Sequence, residues 1–243
     1  MLHRRGVLGL LASAPLLAGC TWRADDLTFR YRLEITLTVD GVVRRGASVI
    51  EACWARTWPH IVTAPRYFAF AVGEAVTFDF GKGDYLFTAL LPPGQERGFA
   101  ASRPAFALLQ YLPPSLQANA GSDADDPEPL NNALNNLSDR CDVPRAQWPV
   151  FLRFDDRRDP LSVKLVKRAQ MGITYGRSVE VESVTIEGTG DPLTTGIENI
   201  LPWLKTRKRS MEQDGDEMTL ANQFAWGVTP AAFKSDMQST MAG

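Results

Sequence analysis

At 243 residues, with 44% hydrophobic and 22% charged side chains, the chain has an ordinary globular composition and the length for one large domain or two small ones. A formal net charge of −2 argues against nucleic acid, which demands a basic face, and gives no polybasic reason to bind anionic lipid. Only two histidines are present, so a zinc site of the usual His/Cys kind is not expected, and no other cofactor is indicated.

The chain opens as an export signal. Met1–Arg5 is basic through Arg4 and Arg5, and Gly6–Leu17 is an apolar run of about a dozen residues, too short to span a bilayer as a mature helix. The run ends at Leu17-Ala18-Gly19-Cys20, which resembles the lipobox of bacterial lipoproteins. The resemblance implies that the Cys20 thiol receives a diacylglyceryl group, that residues 1–19 are removed, and that acylated Cys20 becomes the mature N-terminus. Two or more acyl chains give durable membrane attachment where one does not. Thr21 after the cysteine implies the outer membrane by the sorting rule of enteric bacteria, where Asp would signal retention. Arg4-Arg5 before Gly6-Val7-Leu8 fits a twin-arginine signal, which carries folded proteins, and equally a plain basic n-region. The expected location is the cell envelope, anchored through Cys20–26 and facing the periplasm, an oxidising space where Cys53 and Cys141 either pair or remain separate thiols.

In Leu27–Asp40, apolar Leu27, Phe29, Tyr31, Leu33, Ile35, Leu37 and Val39 alternate strictly with polar residues, the period of a strand with one core face and one wet face. Asp40-Gly41 is a hairpin turn signal, Val42–Trp54 is the return strand, and Gly46 within it suggests a bulge. A second hairpin follows, from Val76–Phe80 through Gly81–Asp84 to Tyr85–Leu91. Ser102 and Pro104 predict a short helix over Ala105–Tyr111, stopped by Pro113-Pro114. The Asp- and Asn-rich stretch 119–142 predicts an exposed acidic insertion. Further strands are predicted at Val150–Phe154, Ser162–Val166 and Val179–Glu187, and a short helix capped by Thr194 or Thr195 up to Leu201. The expected fold is mainly β, with antiparallel sheets arranged as a sandwich or a partly open barrel and one or two short helices, the alternative being α+β. The β-rich domain is expected over 27–204. Residues 205–243 form a polar extension whose Leu220, Phe224, Trp226 and Phe233 give it a means of folding back.

Three blocks, "FRYRLEITLTVDGVVRRGASVIEA", "VGEAVTFDFGKGDYLFTALL" and "VESVTIEGTGDPLTTGIENILPWL", lie around residues 29–54, 72–91 and 181–204. In order and spacing they resemble an uncharacterised family of proteobacterial exported proteins. That resemblance implies common fold and ancestry, and no activity or catalytic residue comes with it. The acidic insertion and the tail after Leu204 depart from the pattern.

Chemistry-bearing residues are sparse. His60, in Trp58-Pro59-His60, is the one histidine beyond the signal, and no G-x-S-x-G elbow accompanies it. Asp123, Asp125, Asp126 and Glu128 cluster as calcium ligands do, but Pro127 interrupts the spacing and the EF-hand glycine and distal glutamate are missing, so a solvated loop is the better reading. Gly188-Thr189-Gly190 and Thr194-Thr195-Gly196 lack the phosphate-loop pattern. Glu51, Glu74 and Asp79 lie on or beside strands, where a pair of carboxylates could serve acid–base chemistry or, more simply, ion pairing. The expected function is therefore a non-enzymatic binding or structural module of the envelope, with another envelope protein or a small ligand as partner. The alternatives are a carboxylate-dependent cell-wall hydrolase and an envelope lipid carrier.

Overall fold

Two long strands organise the molecule. The structure is a computed structural model that describes residues 27–56, 67–90, 129, 132, 134, 137, 140–206 and 232–235. β1 (Leu27–Val39) pairs antiparallel over its whole length with β2 (Val42–Arg56), from Leu27 opposite Trp54 to Val39 opposite Val42. The turn between them has positive φ at both Asp40 (49°) and Gly41 (79°), the backbone that matches strand twist in a two-residue hairpin. The alternation is realised as expected: Phe29, Tyr31, Leu33, Ile35, Leu37 and Val39 are buried, and Leu27 packs against the same core. The opposite face of β1 is half-buried rather than openly wet, because Arg30, Arg32 and Glu34 carry ion pairs there.

Around this hairpin stands a six-stranded sheet, in the order β10 (Lys234–Ser235), β3 (Tyr67–Glu74), β2, β1, β9 (Val179–Gly188), β6 (Cys141–Asp142). A four-stranded sheet, β4 (Thr77–Gly81), β5 (Asp84–Thr88), β7 (Phe151–Phe154), β8 (Val163–Leu165), packs against it. All pairings are antiparallel and neither sheet closes, so the fold is mainly β and sandwich-like, not a barrel. One α-helix, α1 (Met171–Tyr175), is short and ends at Gly176, whose φ of 60° suits glycine.

The four-stranded sheet is buried on both faces. Phe78, Phe80, Leu86 and Phe151 join the core shared with β1 and β9. Phe87, Leu152, Phe154 and Val163 point the other way, into a second core closed by Ile197, Leu201, Trp203, Leu204, Ala232 and Phe233. Aromatic contacts organise that core: the Phe233 ring stands edge-on 5.8 Å from Trp203 and 6.0 Å from Phe87, and tilted 5.3 Å from Phe154.

Several expectations need correcting. Gly46 is not a bulge, since the β1–β2 register runs through it unbroken. A Cβ there would lie 2.7 Å from Cζ of Phe78, so the glycine makes room for that ring. The bulge lies instead on β9, where Thr36 pairs with Ser183 and Leu37 with Val181, leaving Glu182 over. Neither Thr194 nor Thr195 caps a helix: Ile197–Asn199 is a single 3-10 turn without a side-chain cap, and the Thr194 hydroxyl accepts from Val49 N–H (2.8 Å). The segment 119–142 is not wholly an exposed insertion, because Leu134 and Leu137 are buried and Cys141–Asp142 is a strand. The folded unit also runs past 204, through β10 and the fully buried Phe233. β3 was not foreseen by alternation. The predicted helix over 105–111 lies outside the described residues.

Candidate functional site

The three carboxylates singled out in the sequence are separately employed. Glu51 sits on β2 directly opposite Arg30 on β1, and the guanidinium donates to its Oε2 at 2.7 and 3.2 Å. Glu74, at the end of β3, is buried at 4% exposure and survives there because it is bonded: its Oε2 accepts the N–H of Ile197 (2.7 Å), and Lys234 Nζ stands 4.0 Å from Oε1. It thereby ties the turn at 197–199 to the sheet. Asp79 accepts Gly81 N–H (2.7 Å) and the Tyr85 hydroxyl (3.0 Å), which fixes the β4–β5 turn. No two of them share a hydrogen-bond partner, so the structure does not bring them together as an acid–base pair.

Cys53 and Cys141 belong to β2 and β6, separated by β1 and β9, and both are thiols. Three strand spacings of about 4.8 Å put them roughly 14 Å apart at the least, twice what a disulfide reaches. Gly188–Gly190 and Asp191 form a polar crossing over the outer face of the large sheet: Thr189 N–H donates to Arg30 carbonyl (3.1 Å), and Asp191 pairs with Arg32. Cys20, His60 and the Asp123, Asp125, Asp126 and Glu128 cluster lie outside the described residues. Among the described residues, no three His, Cys, Asp or Glu side chains gather as metal ligands would.

What the sequence reading missed is a cleft beside the start of β9. It is an open cavity of about 370 Å³ lined by Arg145, Trp148, Arg168, Ala169 and Gly172 on one side and Ser178–Val181 on the other. Trp148 is buried at 7% exposure and oriented by its Nε1–H, which donates to the Val143 carbonyl (2.8 Å). Two exposed guanidiniums converge on its ring, Arg145 at 5.5 Å and Arg168 at 5.0 Å from the centroid. Among the described residues neither arginine has a carboxylate partner. Two guanidiniums held over one indole, with no carboxylate partner among the described residues, have the donor chemistry that suits carboxylate or phosphate oxygens.

One signal for this site was present. The tripeptide Arg-Ala-Gln occurs twice, at 145–147 and 168–170, and each copy forms a 3-10 turn that begins with the arginine facing Trp148. The short repeat carries no known motif, and its meaning depends on the tertiary meeting of the two copies.

No protein-family model matches the chain, and no curated protein or solved structure matches it.

Proposed function

We propose that this protein is a lipid-anchored module of the bacterial cell envelope, held to a membrane through acylated Cys20 and acting there by binding, not by turnover. The anchor rests on three agreeing features of the sequence: the basic start, the apolar run of lipobox-compatible length, and Leu17-Ala18-Gly19-Cys20. Binding rests on one observation, the cleft in which Arg145 and Arg168 converge on Trp148 with no carboxylate partner among the described residues.

The direction of β1 gives the two halves of the proposal a common geometry. Residues 21–26 offer at most about 25 Å of reach between Cys20 and Leu27. From Leu27 the strand rises about 40 Å to the hairpin turn. Val179, on the cleft wall, pairs with Val39 at that far end. An anchor at Cys20 therefore tethers one end of the sheet and leaves the cleft free to project into the aqueous space. Glu51, Glu74 and Asp79 are engaged in ion pairs and turns, and a cleft lined by guanidiniums is ill suited to an acyl tail, so a binding role is the better supported reading.

Growth with a radiolabelled fatty acid tests the anchor: the protein should take up label, and Cys20→Ala should lose it. A Cys20→Ala protein that still labels refutes the lipobox reading. Crosslinking in the native envelope followed by tagged capture tests the binding half, beside an activity screen on cell-wall glycans and lipids. Turnover that disappears on replacing Glu51, Glu74 or Asp79, with folding intact, would overturn the proposal in favour of an enzyme.

A further inference from the structure

Among the described residues, the start of β9 has a strand neighbour on the β1 side alone, and Val179 and Val181 line the cleft there. Asp40 N–H donates to the Ser178 carbonyl (2.9 Å), so Ser178 and, two residues on, Glu180 direct their backbone polar groups toward β1. Val179 and Val181 must direct theirs the other way. Beyond the bulge, the outward carbonyl of Val184 is taken by Val143 N–H (2.8 Å), next to the short strand β6. Pairing stops there, where the chain turns at Pro144 into the 3-10 turn 145–147. Among the described residues, no loop or turn hydrogen bond reaches the outward groups of Val179 and Val181. Backbone donors and acceptors left in this state are a template for another strand.

We infer that this groove takes an extended peptide that pairs with β9 at Val179 and Val181 and sets an acidic side chain or a C-terminal carboxylate against Arg145 and Arg168. The open edge supplies main-chain hydrogen bonds of the kind used in strand addition, which any extended peptide satisfies. The two arginines supply the selection. Val179 and Val181 share their core with Trp148, so the guanidiniums stand on the core side of the added strand. Glu180, exposed at the rim, projects from the other face of β9 and disfavours an acid there. The preferred peptide thus carries its negative groups on one face, at alternating positions, and neutral residues on the other. A strand opposite 179–181 needs about three residues in register, roughly 7–10 Å of chain. The inference rests on the binding reading above and is independent of the lipid anchor.

The test uses the full chain in detergent and a fluorescein-labelled octapeptide alternating aspartate and valine, followed by fluorescence anisotropy. Three comparison probes are a version with lysine in place of aspartate, one N-methylated at alternate residues, and the same peptide as its C-terminal amide. The aspartate peptide should bind at least tenfold more tightly than the lysine and N-methylated forms. The amide reports whether the terminal carboxylate or the side chains meet the arginines. The double substitution Arg145→Gln and Arg168→Gln should weaken binding at least tenfold while the thermal melt confirms a folded protein. Slowed hydrogen exchange should appear at the Val179 and Val181 amides. Equal binding of the aspartate and lysine peptides overturns the inference, as does unchanged binding by the double variant or by the N-methylated peptide. So does a concentration-dependent dimer whose formation protects these same amides, which would give the edge to a second copy. If the peptide fails while envelope crosslinking still captures a partner through another surface, this inference falls and the binding reading stands. If neither yields a partner, both fall.

Discussion

Truncating Ile35 is the sharpest test of how the sheets share a core. Ile35 is fully buried at the middle of β1, with Val184 of β9 on one side and Gly46 of β2 on the other. Ile35→Ala removes three carbons from the interior, worth about 2.4 kcal/mol of transfer at ~0.8 kcal/mol per methylene. The residual cavity adds to this. Gly46 has no side chain to move into the space, and the ring of Phe78 already occupies the glycine's own gap, so relaxation is restricted. Substitutions of this kind cost about 2–5 kcal/mol, and the poor ability of this site to collapse points to the upper half, about 3–5 kcal/mol. Thr36→Ala, one residue on and half-buried on the opposite face, should cost under about 1 kcal/mol. Urea titration followed by tryptophan fluorescence measures both, provided the m-value is unchanged. Against a total stability of about 5–15 kcal/mol, the difference is large and simple to resolve. Equal losses at 35 and 36, or a loss at 35 below about 1 kcal/mol, would refute the assignment of faces.

Gly46→Val should cost about 1–3 kcal/mol, because its Cβ would meet Phe78 Cζ at 2.7 Å and Val76 Cγ1 at 3.0 Å. Adding Phe78→Leu should then destabilise by less than it does alone, and strict additivity in the double-mutant cycle would disprove the contact. Hydrogen bonding from Lys164, then from Arg153, holds the Asp155 carboxyl below the usual aspartate range despite partial burial. Its folded value is depressed, so its contribution to stability is present above the ordinary aspartate value near 3.9 and is lost as pH falls through the folded value. Asp155→Asn should therefore flatten the acid limb of the stability–pH profile, and an NMR titration placing Asp155 at or above the ordinary value would contradict this.

The legibility of the fold followed the reach of its causes. β1 was readable because one face is buried along almost its whole length, so every second residue had to be apolar. The turn at Asp40-Gly41 was readable because two consecutive positive φ values need particular residues. β6 and β10, two residues each, have no period to detect; they exist because β9 and β3 offer them an edge. Gly46 showed that something special happens, and the sequence could not say whether that was a bulge or an approaching ring from another sheet. Glu51, Glu74 and Asp79 were correctly found as carboxylates on strands, but their partners come from distant segments: Arg30, Ile197 and Tyr85. The cleft was the least legible, since its walls are drawn from 145–148, 168–172 and 178–181 and no single stretch announces it.

The position of Phe233 has a consequence for the order in which the protein matures. It fills the centre of a core whose other aromatic members, Phe87, Phe154 and Trp203, lie far upstream in the chain. Its carbonyl also takes the N–H of Ala75, and the neighbouring Ala232 carbonyl takes that of Leu90. During synthesis from the N-terminal end, the hairpin of β1 and β2 can zip early from local contacts. Ile197, Leu201, Trp203 and Leu204 cover part of the outer face of the four-stranded sheet, and its cover is completed only when Ala232 and Phe233 arrive. In that interval Phe87, Leu152 and Phe154 are left only partly covered, the state in which nascent chains are prone to aggregate and in which a holding chaperone has its footing. The arrival of Phe233 thus decides when the molecule stops being sticky.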